Sequence, residues 1–136
     1  MGVQIFAVVV MVNYLFSYLN KHSSQGSFRA DGVALSIVLT VMFVGHIVQI
    51  FIWAILFQLL NEFGDFSTAF YHSTVNFASL GYGDIVMSER WRLLGALEAC
   101  NGVLMFGLTA GTLLTVMNKA FSRHQDRFRK ISDDEH

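Results

Sequence analysis

The sequence predicts an all-α membrane protein. Apolar residues make up 54% of its 136 residues and charged residues only 14%, well below the roughly 25% usual in soluble domains. The charges are also segregated. None falls in residues 3–19 or 33–60, and between Leu93 and Met117 the only one is Glu98. A soluble chain of this length buries only about two-thirds of its surface and has no room to hide so much apolar side chain. A formal charge of −1 argues against a nucleic-acid partner, which normally requires a basic excess. The single cysteine, Cys100, excludes an intrachain disulfide framework.

At 1.5 Å per residue the second charge-poor segment is about 42 Å long and the third about 37 Å, so each exceeds a hydrocarbon core of about 30 Å. The sequence therefore places membrane spans at 33–60 and 91–118. The first segment is about 25 Å long and carries Gln4 and Asn13. It is assigned as an N-terminal transmembrane helix, residues 1–20, with an interfacial helix and a signal peptide as alternatives. No basic side chain precedes it, and Tyr18-Leu19-Asn20 is not a cleavage signal. The positive-inside rule puts the basic tail at 119–136 in the cytoplasm, with Lys119, Arg123, Arg127, Arg129 and Lys130. Three spans then place the 21–32 loop inside as well and the N-terminus outside, in a multi-pass protein of the cell membrane.

The stretch between the last two spans does not read as a solvated loop. Residues 67–78 lack Gly and Pro and are largely apolar. Asp65 or Ser67 is placed to cap a short helix there. At about 12 residues this helix is too short to span, which suits a re-entrant segment. Non-helical backbone at membrane depth persists only inside protein or against water, and the peptide 79–84 needs one of those settings.

In that peptide Gly81 and Gly83 alternate with Leu80 and Tyr82. Glycine accepts positive φ, so alternating glycines let successive carbonyls turn to one side, where a row of oxygens replaces the water shell of a cation. Ser79-Leu80-Gly81-Tyr82-Gly83-Asp84 resembles the T-V-G-Y-G-D signature of the potassium-channel pore domain. The likeness extends from about Val33 to Met117. His46-x-x-Gln49-x-x-x-Trp53-Ala54 is also similar to the outer helix of small prokaryotic members, with Gln49 where an acidic residue is frequent. The resemblance implies a pore domain at 33–118, made of outer helix, re-entrant pore helix (67–78), selectivity filter (79–84) and inner helix.

It further implies ion-binding residues Ser79, Leu80, Gly81, Tyr82 and Gly83, with potassium at the filter as the one metal and the permeant ion, and no cofactor. Tyr71 and Asp84 resemble the pair that ties the outer filter to the pore helix. One chain offers one filter strand, so the resemblance implies a homotetramer, or a heteromer with similar chains. The sequence departs from the family at four places. Ser79 replaces threonine, Leu80 replaces valine, no proline follows Asp84, and Val75 stands where some members have an acid.

On the inner helix, Gly102 matches a hinge position of the family. Val103, Phe106, Ala110 and Leu114 form one helical stripe expected to line the pore, with Phe106 as its constriction. Gly107 and Gly111 form a G-x-x-x-G pair suited to close helix contact. Glu98 is the one charge inside a span and is expected behind the pore helix, with Ser73, Asn76 and His46 as candidate partners. His46 is read as a polar residue in a helix interface. None of the five histidines lies three or four residues from another, so no pair of metal ligands shares a helix face. The tail, with Phe121 and Phe128 among its basic residues, suits anionic lipid. No nucleophile–base pair or phosphate loop points to an enzyme. The function expected is a potassium-selective channel, the alternatives being a poorly selective cation channel and a non-conducting structural or regulatory subunit.

Overall fold

The computed structural model describes Gly2 and residues 28–134, and these contain three α-helices and no strands. The proposed first transmembrane helix and residues 21–27 lie outside the described residues. Helix α1 is Phe28–Leu59, α2 is Phe66–Phe77 and α3 is Arg92–Asp134. Within α1 and α3, Leu35–Leu59 and Arg92–Lys119 are long and apolar enough to cross a membrane. At 1.5 Å per residue they reach roughly 38 and 42 Å.

Helix α1 begins five residues before the expected Val33, because Phe28-Arg29-Ala30-Asp31 holds nothing that breaks a helix. Helix α3 continues well beyond Met117 to Asp134 for the same reason: no Gly or Pro follows Gly111. The basic tail is therefore largely a continuation of the inner helix.

The described residues form two compact units. One is Phe43–Leu108. Its interior has one apolar group of Ala54, Phe57, Phe63 and Ala69, and a second of Ile50, Phe77 and Met105. His72 packs against the rings of the first group, with ring centres 4.9 Å from Phe63 and 5.8 Å from Phe57. The other unit takes in the described parts of Gly2–Met42 and Thr109–His136, with Val38, Met42 and Val116 at its centre.

Two helix ends use the same device. After α1, Asn61 adopts φ 53°, Glu62 N–H donates to the Phe57 carbonyl and Asn61 N–H to the Gln58 carbonyl, both at 3.1 Å. After α2, Ser79 adopts φ 57°, Leu80 N–H donates to the Val75 carbonyl at 2.9 Å and Ser79 N–H to the Asn76 carbonyl at 2.8 Å. Each is a Schellman motif, in which one left-handed residue lets the chain turn back and satisfy the last carbonyls. Asn61 is a common choice for that position. Ser79 is not.

Two glycines let α3 approach α2 closely. A Cβ on Gly95 would lie 2.9 Å from Asn76 Nδ2 and 3.1 Å from Met87 Sδ. A Cβ on Gly102 would meet the backbone of Phe77, 2.8 Å from its carbonyl carbon and nearer still to its oxygen. Gly102 is buried, so in this chain it has a packing duty that its expected hinge role did not include. Gly102→Ala is expected to destabilise the fold by about 1–3 kcal/mol through overpacking against rigid backbone, read as a lower thermal unfolding midpoint of the detergent-solubilised protein.

Candidate functional site: the segment after α2

Helix α2 starts where Asp65 caps it. The Asp65 carboxylate accepts from Thr68 N–H at 3.0 Å and from the Thr68 hydroxyl at 2.7 Å. Those two donors hold the Asp65 carboxyl below its ordinary range. Of the two expected caps, Asp65 is the one used.

From the end of α2 the chain runs without regular structure through residues 80–88. Ser79, Gly81 and Gly83 have φ of 57°, 56° and 73°, whereas Leu80 and Tyr82 do not have positive φ. The handedness of the backbone thus alternates residue by residue. Glycine removes the steric penalty at two of the three left-handed positions. At Ser79 the side chain bears a cost of about 1 kcal/mol, offset by the two capped carbonyls of the Schellman motif. The hydroxyl-bearing residue at the start of this segment is therefore fixed by the helix end that precedes it. Leu80 and Tyr82 are 54% and 66% exposed in the single chain. A cavity of about 490 Å³ lies beside Gly81 and Gly83, lined also by His72, Asn76, Met87 and Gly95.

Three hydrogen-bonded links hold this segment, two to α2 and one to the connection between α1 and α2. The Tyr71 hydroxyl donates to Asp84 Oδ2 at 2.7 Å. His72 Nδ1 lies 3.1 Å from the Ile85 carbonyl and its Nε2 lies 2.8 Å from Asn76 Nδ2. A carbonyl only accepts and an amide NH2 only donates, so this ring is the neutral Nδ1–H tautomer. Further along, the Glu62 carboxylate accepts from Ser88 N–H and, at 2.9 Å, from the Ser88 hydroxyl. The Tyr71–Asp84 pair was visible in the sequence. The links through His72 and Glu62 were not, although His72 and Asn76 stand four residues apart on one helix face.

Beneath this segment lies a buried polar layer. Glu98 and Ser73 are fully buried. The Ser73 hydroxyl donates to the Ile50 carbonyl at 3.0 Å and Glu98 Oε1 is within hydrogen-bond reach of Ser73 Oγ. Asn101 Nδ2 donates to Gln49 Oε1 at 3.2 Å. Glu98 thus meets Ser73 and is also approached by the Asn76 side chain, two of its three expected partners. His46 instead lies against the rings of Phe77 and Phe106, with ring centres 5.8 and 5.1 Å away. Phe106 also packs edge-on to Phe77 at 6.0 Å. Val103, Phe106, Ala110 and Leu114 are all exposed in the single chain, whereas Gly102, grouped with them in the sequence, is buried against α2. No other atom comes within 4 Å of a Cβ built on Gly107 or Gly111, so the close contact expected there is not made within the described chain.

The Tyr71 bond holds the Asp84 carboxyl below its ordinary range and raises the Tyr71 hydroxyl above its own. The carboxylate form is the one this conformation favours. Its stabilising contribution is present above the ordinary carboxylate range and is lost as pH falls through the lowered Asp84 value. Tyr71→Phe is expected to raise the Asp84 titration midpoint toward that of a free aspartate, as followed by carboxyl carbon NMR of the labelled protein. An unchanged midpoint would show that the bond does not set it.

Residues 36–119 match the family model described as an ion channel. No curated protein and no solved structure matches the chain significantly. The matched span takes in both long apolar segments, α2 and the whole segment of alternating backbone handedness, which is more than half of the sequence. The chain belongs to the ion-channel family, in the pore-domain class of two-span potassium channels.

Proposed function

We propose that this chain is one quarter of a potassium-selective channel, in which four copies bring their 79–83 segments around one axis. The observation that carries the reading is the sign alternation of φ from Ser79 to Gly83. That backbone presents successive carbonyls to one side, the arrangement that strips water from a cation and holds it in oxygen cages. Ions in adjacent cages repel one another, and conduction follows.

The exposure of this segment in a single chain supports the tetramer. Backbone that is neither helix nor sheet is not tolerated against lipid, so neighbouring copies and the ions themselves are what cover it. In this reading α2 re-enters the membrane, Ser79, Leu80, Gly81, Tyr82 and Gly83 hold the ions, and Tyr71 and Asp84 steady the outer end. The Val103, Phe106, Ala110 and Leu114 stripe lines the inner pore, with Phe106 its narrowest ring. The basic end of α3 lies against anionic lipid on the cytoplasmic side.

Purified protein in liposomes decides the matter. The expected result is potassium flux blocked by barium, with sodium flux at least about tenfold lower, a preference worth about 1.4 kcal/mol. Equal sodium and potassium fluxes would replace selectivity with general cation conduction, for which Ser79 and Leu80 would be the reason. No flux from an intact tetramer would leave a structural or regulatory subunit.

A further inference from the structure

The Ser73 hydroxyl has one proton and two oxygen neighbours, the Ile50 carbonyl at 3.0 Å and Glu98 Oε1. The Ile50 carbonyl only accepts, so that bond uses the serine proton. The second contact is a hydrogen bond only if Glu98 brings a proton of its own. A carboxylate there would face the serine lone pairs or share a single proton with the Ile50 carbonyl.

Burial argues the same way. Glu98 is fully enclosed; the Asn76 amide approaches its carboxyl, but Oε2 makes no close hydrogen bond among the described residues and no cation faces it there. A carboxylate in that state would leave a desolvated charge without a counter-ion, whereas a neutral acid leaves one unpaired oxygen. The other titratable side chains facing the interior from the packed elements are already engaged. His72 bonds Ile85 and Asn76, and His46 lies against Phe77 and Phe106.

We propose that Glu98 is present as the neutral acid and donates its proton to Ser73 Oγ, which passes its own to the Ile50 carbonyl. Two bonds running in one direction then tie α3 to α2 and α2 to α1. Ser73 stands two residues from Tyr71 and six from Ser79, so the chain of bonds fixes the helix on which the ion-binding segment is mounted. Glu98 is a positioning residue, acting through Ser73 and not on the ion. Only its effect on flux rests on the proposed channel function.

Infrared spectroscopy of the full chain in lipid tests the proton directly. The wild-type minus Glu98→Gln difference is expected to contain the carbonyl stretch of a protonated carboxyl. A difference containing only carboxylate bands would overturn the proposal, and this measurement does not require the protein to conduct. Rubidium flux supplies the functional arm. Gln can donate to Ser73 as the neutral acid does, so Glu98→Gln is expected to keep flux within about two-fold. Glu98→Ala, which removes the donor, is expected to lower flux roughly tenfold, the scale of one buried hydrogen bond. Glu98→Gln falling as far as Glu98→Ala would overturn the proposal. Absence of flux from the wild type would instead count against the channel reading, leaving the infrared result to judge Glu98.

Discussion

Backbone N–H and C=O groups have no solvent to turn to in the hydrocarbon of a membrane, and each left unpaired there costs several kcal/mol. In the proposed channel the segment after α2 meets that constraint. The chain must stop being a helix at Ala78 without orphaning the last carbonyls, and the left-handed turn at Ser79 achieves this by returning two amides to Val75 and Asn76. The same turn starts the alternation that continues through Gly81 and Gly83. Helix termination and the alternation of backbone handedness are thus consecutive parts of one backbone path.

Side chains obey the same accounting. His72 lies among the rings of Phe57 and Phe63, and both of its nitrogens are matched, one to the Ile85 carbonyl and one to the Asn76 amide. That match anchors the descending strand of the loop from behind while Tyr71 holds Asp84 from beside it. Neighbouring positions on one short helix therefore grip consecutive residues of the segment, and neither grip needs an ion pair. Gln49 and Asn101 pair amide to amide elsewhere in the polar layer, without formal charge.

Much of this was legible in the residues. Long charge-free runs report helices long enough to cross a bilayer because a charge in hydrocarbon is costly. Asp65 reports a helix start, Gly81 and Gly83 report positive φ, and Glu98 reports a buried partner on α2. What could not be read has equally plain reasons. Serine is seldom the left-handed residue of a helix end, so nothing in its identity announces Ser79 as one. The duty of Gly102 depends on how closely the Phe77 backbone approaches, a distance between residues far apart in the chain. The His72 link to Ile85 goes to a carbonyl, and every residue has one, so no side-chain pattern signals it. The helical start of α1 at Phe28 was hidden by Arg29 and Asp31, charges that mark the edge of a lipid-compatible run rather than the end of a helix.

Gly95 and Gly102 are seven residues apart, two turns of α3 or about 10.5 Å along its axis; Gly102 meets the Phe77 backbone, which leaves no room for a side chain, and Gly95 meets the ends of the Asn76 and Met87 side chains. A one-residue change of register would put the Val103 side chain where Gly102 meets the Phe77 backbone, a place that only glycine fits. The register of α3 on α2 is therefore set at Gly102, while Gly107 and Gly111 have open space around them within the described chain.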